Sequence, residues 1–187
     1  MPAPDYETIF NVEDAIEDAA KSVLTTHYGI AAYTQREIDN LPAERVDIEL
    51  RITGQREHRV KLADGSGHYV RDAWNGVLKF TVTTKRVRGS ASLTHGKMRG
   101  RVRMACEYFT DRFTAAVLPY HVLTSMTLQD SDPQVNVADA LDLSALHFAV
   151  VISVRPGAWP TWADGAMWAQ EDGATEWARE DGSIWAL

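Results

Sequence analysis

The chain has 187 residues, 45% hydrophobic and 24% charged, with a formal charge of −7. That is enough length for one core-forming domain with an appendage, in the composition of a soluble globular protein. An acidic chain is not a general nucleic-acid binder, it has no apolar run that would span a membrane, and its start, Met1-Pro2-Ala3-Pro4-Asp5, does not read as a signal peptide.

The first predicted element is a helix that begins at Asn11 and ends near His27. Asn11 is a favourable N-cap with Asp14 three residues later, and Glu13, Asp14, Glu17 and Asp18 suit the positive end of a helix dipole. Val12, Ile16, Ala19, Ala20, Val23 and Leu24 form its buried stripe, and Gly29 is a natural stop. A short strand around Ile30 to Tyr33 and a turn at Asn40-Leu41-Pro42 follow. Val46 to Thr53 alternates apolar and polar residues without a fault, which predicts a strand ended by Gly54. Asp64-Gly65 and Gly67 then mark an exposed turn between two strands.

From Trp74 to Lys85, Leu78, Phe80 and Val82 alternate with Lys79, Thr81 and Thr83, the period of a half-buried strand. A basic segment with Gly and Ser runs from Arg86 to Gly100. A helix is expected beyond it, with the stripe Met98, Val102, Ala105, Phe109, Phe113 and Ala116, running to Pro119. Cys106 lies on this helix as a small buried hydrophobe. As the single cysteine it forms no intrachain disulfide, which suits synthesis in a reducing cytoplasm. Val122, Thr124, Met126 and Leu128 alternate with Leu123, Ser125 and Thr127 in a further strand, broken by Asp130-Ser131-Asp132-Pro133. Leu146 to Val154 is the most apolar strand and is expected to be central, and Pro156-Gly157 closes the domain. The order predicts an α+β domain over residues 1–157: a mostly antiparallel sheet with two helices on one face.

Residues 158–187 change character. Trp159, Trp162, Trp168, Trp177 and Trp185 fall here, and Trp168-Ala169-Gln170-Glu171-Asp172-Gly173 is nearly repeated as Trp177-Ala178-Arg179-Glu180-Asp181-Gly182. Asp-Gly favours tight hairpin turns, so this extension reads as a Trp-rich, acidic β-meander that binds a partner surface or, alternatively, covers a patch of its own domain.

Chemistry-bearing patterns give little. The six histidines have no metal-ligand spacing, Asp130 and Asp132 lack the rest of a calcium loop, and no phosphate-binding or nucleophile-elbow motif occurs. No catalytic, cofactor or metal set emerges, and the chain reads as non-enzymatic, with a small cytosolic α+β enzyme as the contrasting class. The positive island is the stronger signal. Arg86, Arg88, Lys97, Arg99, Arg101 and Arg103 crowd one region of an acidic protein without interleaved aromatics, a pattern for sequence-blind contact with phosphates or an acidic partner.

In segment order the chain resembles the tail terminator (tail completion, or tail-to-head joining) proteins of long-tailed bacteriophages. The resemblance rests on Tyr33-Thr34-Gln35-Arg36 leading to Leu41-Pro42 and the Val46–Ile52 strand. It continues through the Trp74–Arg86 strand, the loop into the Met98–Val117 helix and the Leu146–Val154 strand. It spans about Asp5 to Pro156 and leaves out the Trp-rich extension. It implies a virion protein of the tail or neck, a subunit of a hexameric ring that caps the tail tube protein and docks on the head–tail connector. Duplex DNA would pass through the ring, without sequence-specific contact, near the basic residues. A head-completion or connector protein is the neighbouring alternative.

Overall fold

A computed structural model describes residues 11–37, 41–61, 67–86, 91–114, 116–133, 135–137, 141–154, 176–178 and 184–186. Of these, 56–61, 67–72, 91–93, 110, 135–137, 176–178 and 184–186 are described by their backbone alone. Helix α1 spans Val12–Tyr28. The Asn11 side chain accepts from the Asp14 backbone N–H at 3.4 Å and donates to the Asp14 carboxylate at 2.7 Å, the reciprocal cap its sequence calls for. At the other end Gly29 takes φ 58° and returns its N–H to the last turn, a left-handed cap that disfavours any other side chain. All six expected stripe residues of α1 are buried.

Strands β1 (Ala32–Thr34), β2 (Arg45–Lys61), β3 (Gly67–Lys85), β4 (His121–Ser131), β5 (Val135–Val137) and β6 (Leu141–Val154) form one sheet in the order β1-β2-β3-β6-β4, with β5 also on β6. Only the β1–β2 pair is parallel. Helix α2 (Ala91–Glu107) and the single turn α3 (Phe109–Arg112) complete the layer, so the fold is α+β with the helices on one sheet face. That face is apolar by alternation. Val46, Ile48 and Leu50 stand opposite Val82, Phe80 and Leu78, which in turn oppose Ser144, Leu146 and Phe148. Phe80 sits at the centre, edge-on to Phe109 at 5.7 Å and to Phe148 at 5.8 Å, and Phe109 meets Phe113 at 5.5 Å. Gly76 belongs to the same face. A Cβ there would meet Arg51 O and Leu50 Cδ1, each at 3.0 Å, so its absence lets Leu50 fold over β3.

Several expectations need correction. Gly54 does not end β2: the strand passes through a bulge between Ile52 and Gly54, with Thr53 Oγ1 donating to Asn75 O, and continues to Lys61. The second helix starts at Ala91, inside the segment expected as loop, and His95, a turn ahead of Met98, is already buried on it. It also stops earlier. Tyr108 N bonds Ala105 O, the chain tightens, and only the short α3 follows, so Ala116 is exposed. In β4 a bulge between Leu123 and Ser125 shifts the alternation, and Leu123, Met126 and Leu128 face the core in place of a strict even-numbered row. β5 has no counterpart among the expected strands, and β6 starts five residues ahead of Leu146.

β7 (Glu176–Ala178) and β8 (Ile184–Ala186) pair antiparallel with Trp177 opposite Trp185. The Asp181-Gly182 turn, the Asp64-Gly65 turn, the Pro156-Gly157 boundary and Trp159, Trp162 and Trp168 lie outside the described residues.

Candidate functional site

Helix α2 carries most of the basic island, and its 3.6-residue period divides that island. Lys97 and Arg101, four residues apart, lie on the flank toward α1, where Arg101 donates to Tyr28 O at 2.6 Å and so satisfies a carbonyl at the α1 C-terminus. Met104 and Tyr108, the exposed large hydrophobic residues among those described, continue along the outer side of the helix. Arg99 and Arg103 lie on the opposite flank. With Gly96, Gly100, Leu128, Ser131 and Leu146 they line a groove of about 310 Å³ between α2 and the sheet edge. The two glycines leave open space where side chains would stand, and Leu128 and Leu146 supply an apolar floor. Arg103 also pairs with Glu107 at 3.7 Å across one helical turn, an exposed contact of small energy.

Arg86 is engaged elsewhere. Its guanidinium holds the Asp142 carboxylate through Nε and an Nη, both at 3.2 Å. Asp142 is almost fully buried and its second oxygen has no hydrogen-bond partner among the described residues. Arg88 lies outside the described residues. The five described cations do not form one strip: Arg86 and Arg101 tie elements of the subunit together, while Arg99 and Arg103 wall a groove.

Where the helix–sheet layer reaches Asp142, its apolar content gives way to a polar set that the sequence did not single out. His95 of α2 bonds Thr84 Oγ1 through Nδ1 and Ser144 Oγ through Nε2, both at 2.8 Å. One ring nitrogen donates and the other accepts, and the hydroxyls take the complementary parts. Burial pulls the His95 pKa below its ordinary value, opposed by Asp142 and assisted by Arg99. Histidine beside serine is the geometry of an activated nucleophile, but His95 is 1% exposed and Ser144 0%, and the third partner is a threonine hydroxyl. A substrate reaches Ser144 only if α2 is displaced, so the set fixes α2 to β3 and β6. Cys106, on the same helix, is buried too, and desolvation raises its thiol pKa well above the usual value.

Glu17 is a second polar group inside the core. Expected as an exposed acid of the first turns, it is 6% exposed and accepts the Leu50 backbone N–H at 2.8 Å. Even-numbered residues of β2 aim their N–H groups at β1, as Val46 N to Ala31 O shows, and β1 ends at Thr34, before it can serve Leu50. Glu17 supplies the missing acceptor. Burial raises its pKa, offset in part by the Leu50 N–H and by Arg36. The segment after β1 is clamped to α1 by Arg36 with Asp14 and Asp18 and by Lys21 with Glu37.

The opposite sheet face carries no helix among the described residues. Across it run Glu49, Lys79 and His147, with Lys79 3.5 Å from Glu49 and His147 3.1 Å from Asp132. Beside this charged row stand Val77, Ala149 and Val151, part-exposed and without a cover among the described residues. β2 and β3 also run past the sheet. β6 pairs β3 only as far as Ala73, whereas the β2–β3 ladder goes on from Glu57 opposite Arg71 to Lys61 opposite Gly67. That is a two-stranded arm of about 15 Å.

No group of three or more His, Cys, Asp or Glu gathers as a metal site among the described residues, and no helix there is long and apolar enough to cross a membrane. The sequence matches no protein-family model and no curated protein, so the geometry of the groove, the open face and the arm is what bears on function.

Proposed function

We propose that the chain is a structural subunit of a closed homo-oligomeric ring, of the kind that terminates a phage tail tube and joins it to the head–tail connector. The observation that carries this reading is the β2–β3 arm. A hairpin of five residue pairs with no third strand among the described residues is marginal in water, and neighbouring subunits in a ring would give such an arm its packing. The open sheet face agrees with it. Aliphatic residues there are bordered by both charge signs, the pattern of a surface that meets protein rather than nucleic acid. In this reading DNA passes through the ring without sequence-specific contact, and the α2 flank bearing Lys97 is where phosphates approach. Location in the virion neck and contact with the tail tube protein belong to the same proposal.

Negative-stain electron microscopy of the purified protein tests it. The expected images show particles of one diameter with an axial opening. Monomers alone, at concentrations where neck proteins assemble, would overturn it.

A further inference from the structure

The groove between α2 and β4 joins two chemistries. Its floor is apolar, Leu128 and Leu146, and its helical wall bears Arg99 and Arg103 one turn apart, with bare backbone at Gly96 and Gly100. A phosphate would satisfy the arginines but leave Leu128, the part-exposed residue of the floor, without apolar cover. An apolar peptide would cover the floor and leave two guanidiniums facing it. The occupant that satisfies both is a large apolar side chain followed closely by carboxylates. Residues 158–187 carry that combination twice on a tryptophan, as Trp168 with Glu171-Asp172 and Trp177 with Glu180-Asp181.

We infer that the groove is the docking site for the tryptophan-bearing, acidic segment 158–187 of a second copy of this chain. The inference rests on the ring reading. The direction of β6 favours a neighbour, and the mixed-isotope arm of the test below separates that from a tail that turns back onto its own subunit. β6 passes the groove at Leu146 and ends at Val154, eight residues on (154 − 146), about 26 Å away and at the other end of the strand. β6 itself thus ends pointing away from the groove of its own subunit. A cavity of about 310 Å³ admits one indole, which buries on the order of 200 Å² when packed, and an acid three or four residues beyond it meets Arg99 or Arg103. The repeat of the motif gives each tail two chances to engage. Acidic tails seated in basic grooves would also set the order in which subunits follow one another around the ring.

The test uses the full chain with a photo-crosslinking amino acid in place of Gly100, or of Gly96 in a second variant, since both positions face open space. Unlabelled and heavy-isotope-labelled copies are mixed, irradiated and digested. The expected result is crosslinked peptides that pair the groove of one copy with residues 158–187 of the other, in mixed isotope pairs. Arg99→Glu with Arg103→Glu should lower that yield at least about tenfold. Glu171→Lys, Asp172→Lys, Glu180→Lys and Asp181→Lys together should restore it. Crosslinks confined to single copies, crosslinks that never reach 158–187, or a yield indifferent to both charge reversals would overturn the inference. Mass measured on the same samples separates the two proposals. An oligomer without the crosslink removes the docking site alone, whereas a monomer removes the ring.

Discussion

Along β3, Leu78, Phe80 and Val82 point into the helices, while Val77, Lys79 and Thr81, their immediate neighbours, look the other way. The inner face is closed by α1, α2 and α3 and filled with interlocked aromatic rings; the outer face carries a charged row, aliphatic residues and no cover among the described residues. One strand thus serves two demands through its two-residue period. The inner face holds the subunit together whether or not it assembles, and in the ring reading proposed above the outer face and arm gain their full burial from another copy. Substitutions on the inner face should therefore change subunit stability, and those on the outer face should change assembly.

The largest effect belongs to the aromatic centre. Phe80→Ala removes contacts to Phe109 and Phe148 and should cost about 3–5 kcal/mol in denaturant unfolding. A loss below about 1 kcal/mol would mean that the core is not organised around this ring.

Next come the buried polar groups. Glu17→Ala orphans the Leu50 N–H and should cost about 1–3 kcal/mol, whereas Glu17→Gln keeps an acceptor in place and should cost less. The two also differ from the parent in pH dependence. The folded-state pKa of Glu17 lies above the ordinary 4.5, so the unfolded chain loses its proton first. Parent stability should then fall as pH rises from 4.5 through the folded-state value, and Glu17→Gln should lack that slope. His95 gives the opposite sign. Its folded-state pKa lies below 6.5, so its contribution is present above 6.5 and is lost as pH falls below it. Melting curves on both sides of 6.5 should show a steeper acid loss for the parent than for His95→Gln.

How much of this was legible in the sequence follows from the same contrast. The α1 stripe, the alternation of β2 and β3 and the run of β6 were readable, because burial of one face writes a period into the residues. His95 and Glu17 were not. Each is a polar residue at a buried stripe position, and what places it there is a partner far along the chain: Ser144 for His95, Leu50 for Glu17. The early stop of α2 and the bulges in β4 are tertiary choices with no local signature, whereas Gly54 marks the first β2 bulge but reads equally well as a strand end. Of the candidate site, the concentration of positive charge was visible, but its division between two flanks of α2 needed the helix start and phase. The groove itself joins α2 to residues of β4 and β6, a meeting that no local pattern records.

The smallest effect on the isolated subunit should come from the outer face. Lys79→Glu breaks an exposed pair with Glu49 and should shift unfolding by no more than about 1 kcal/mol. If the face meets a neighbour, the same substitution should weaken assembly well beyond that shift. Equal, small effects on both would assign the charged row to plain solvent.

The central claim is that the outer face and the β2–β3 arm are completed by other copies of the chain. The mass of the full-length protein by light scattering, across a range of concentrations, tests it most directly. The account predicts one closed species at a fixed multiple of the 20.8 kDa subunit, lost in Lys79→Glu while the fold persists. A 20.8 kDa particle at every concentration would contradict it.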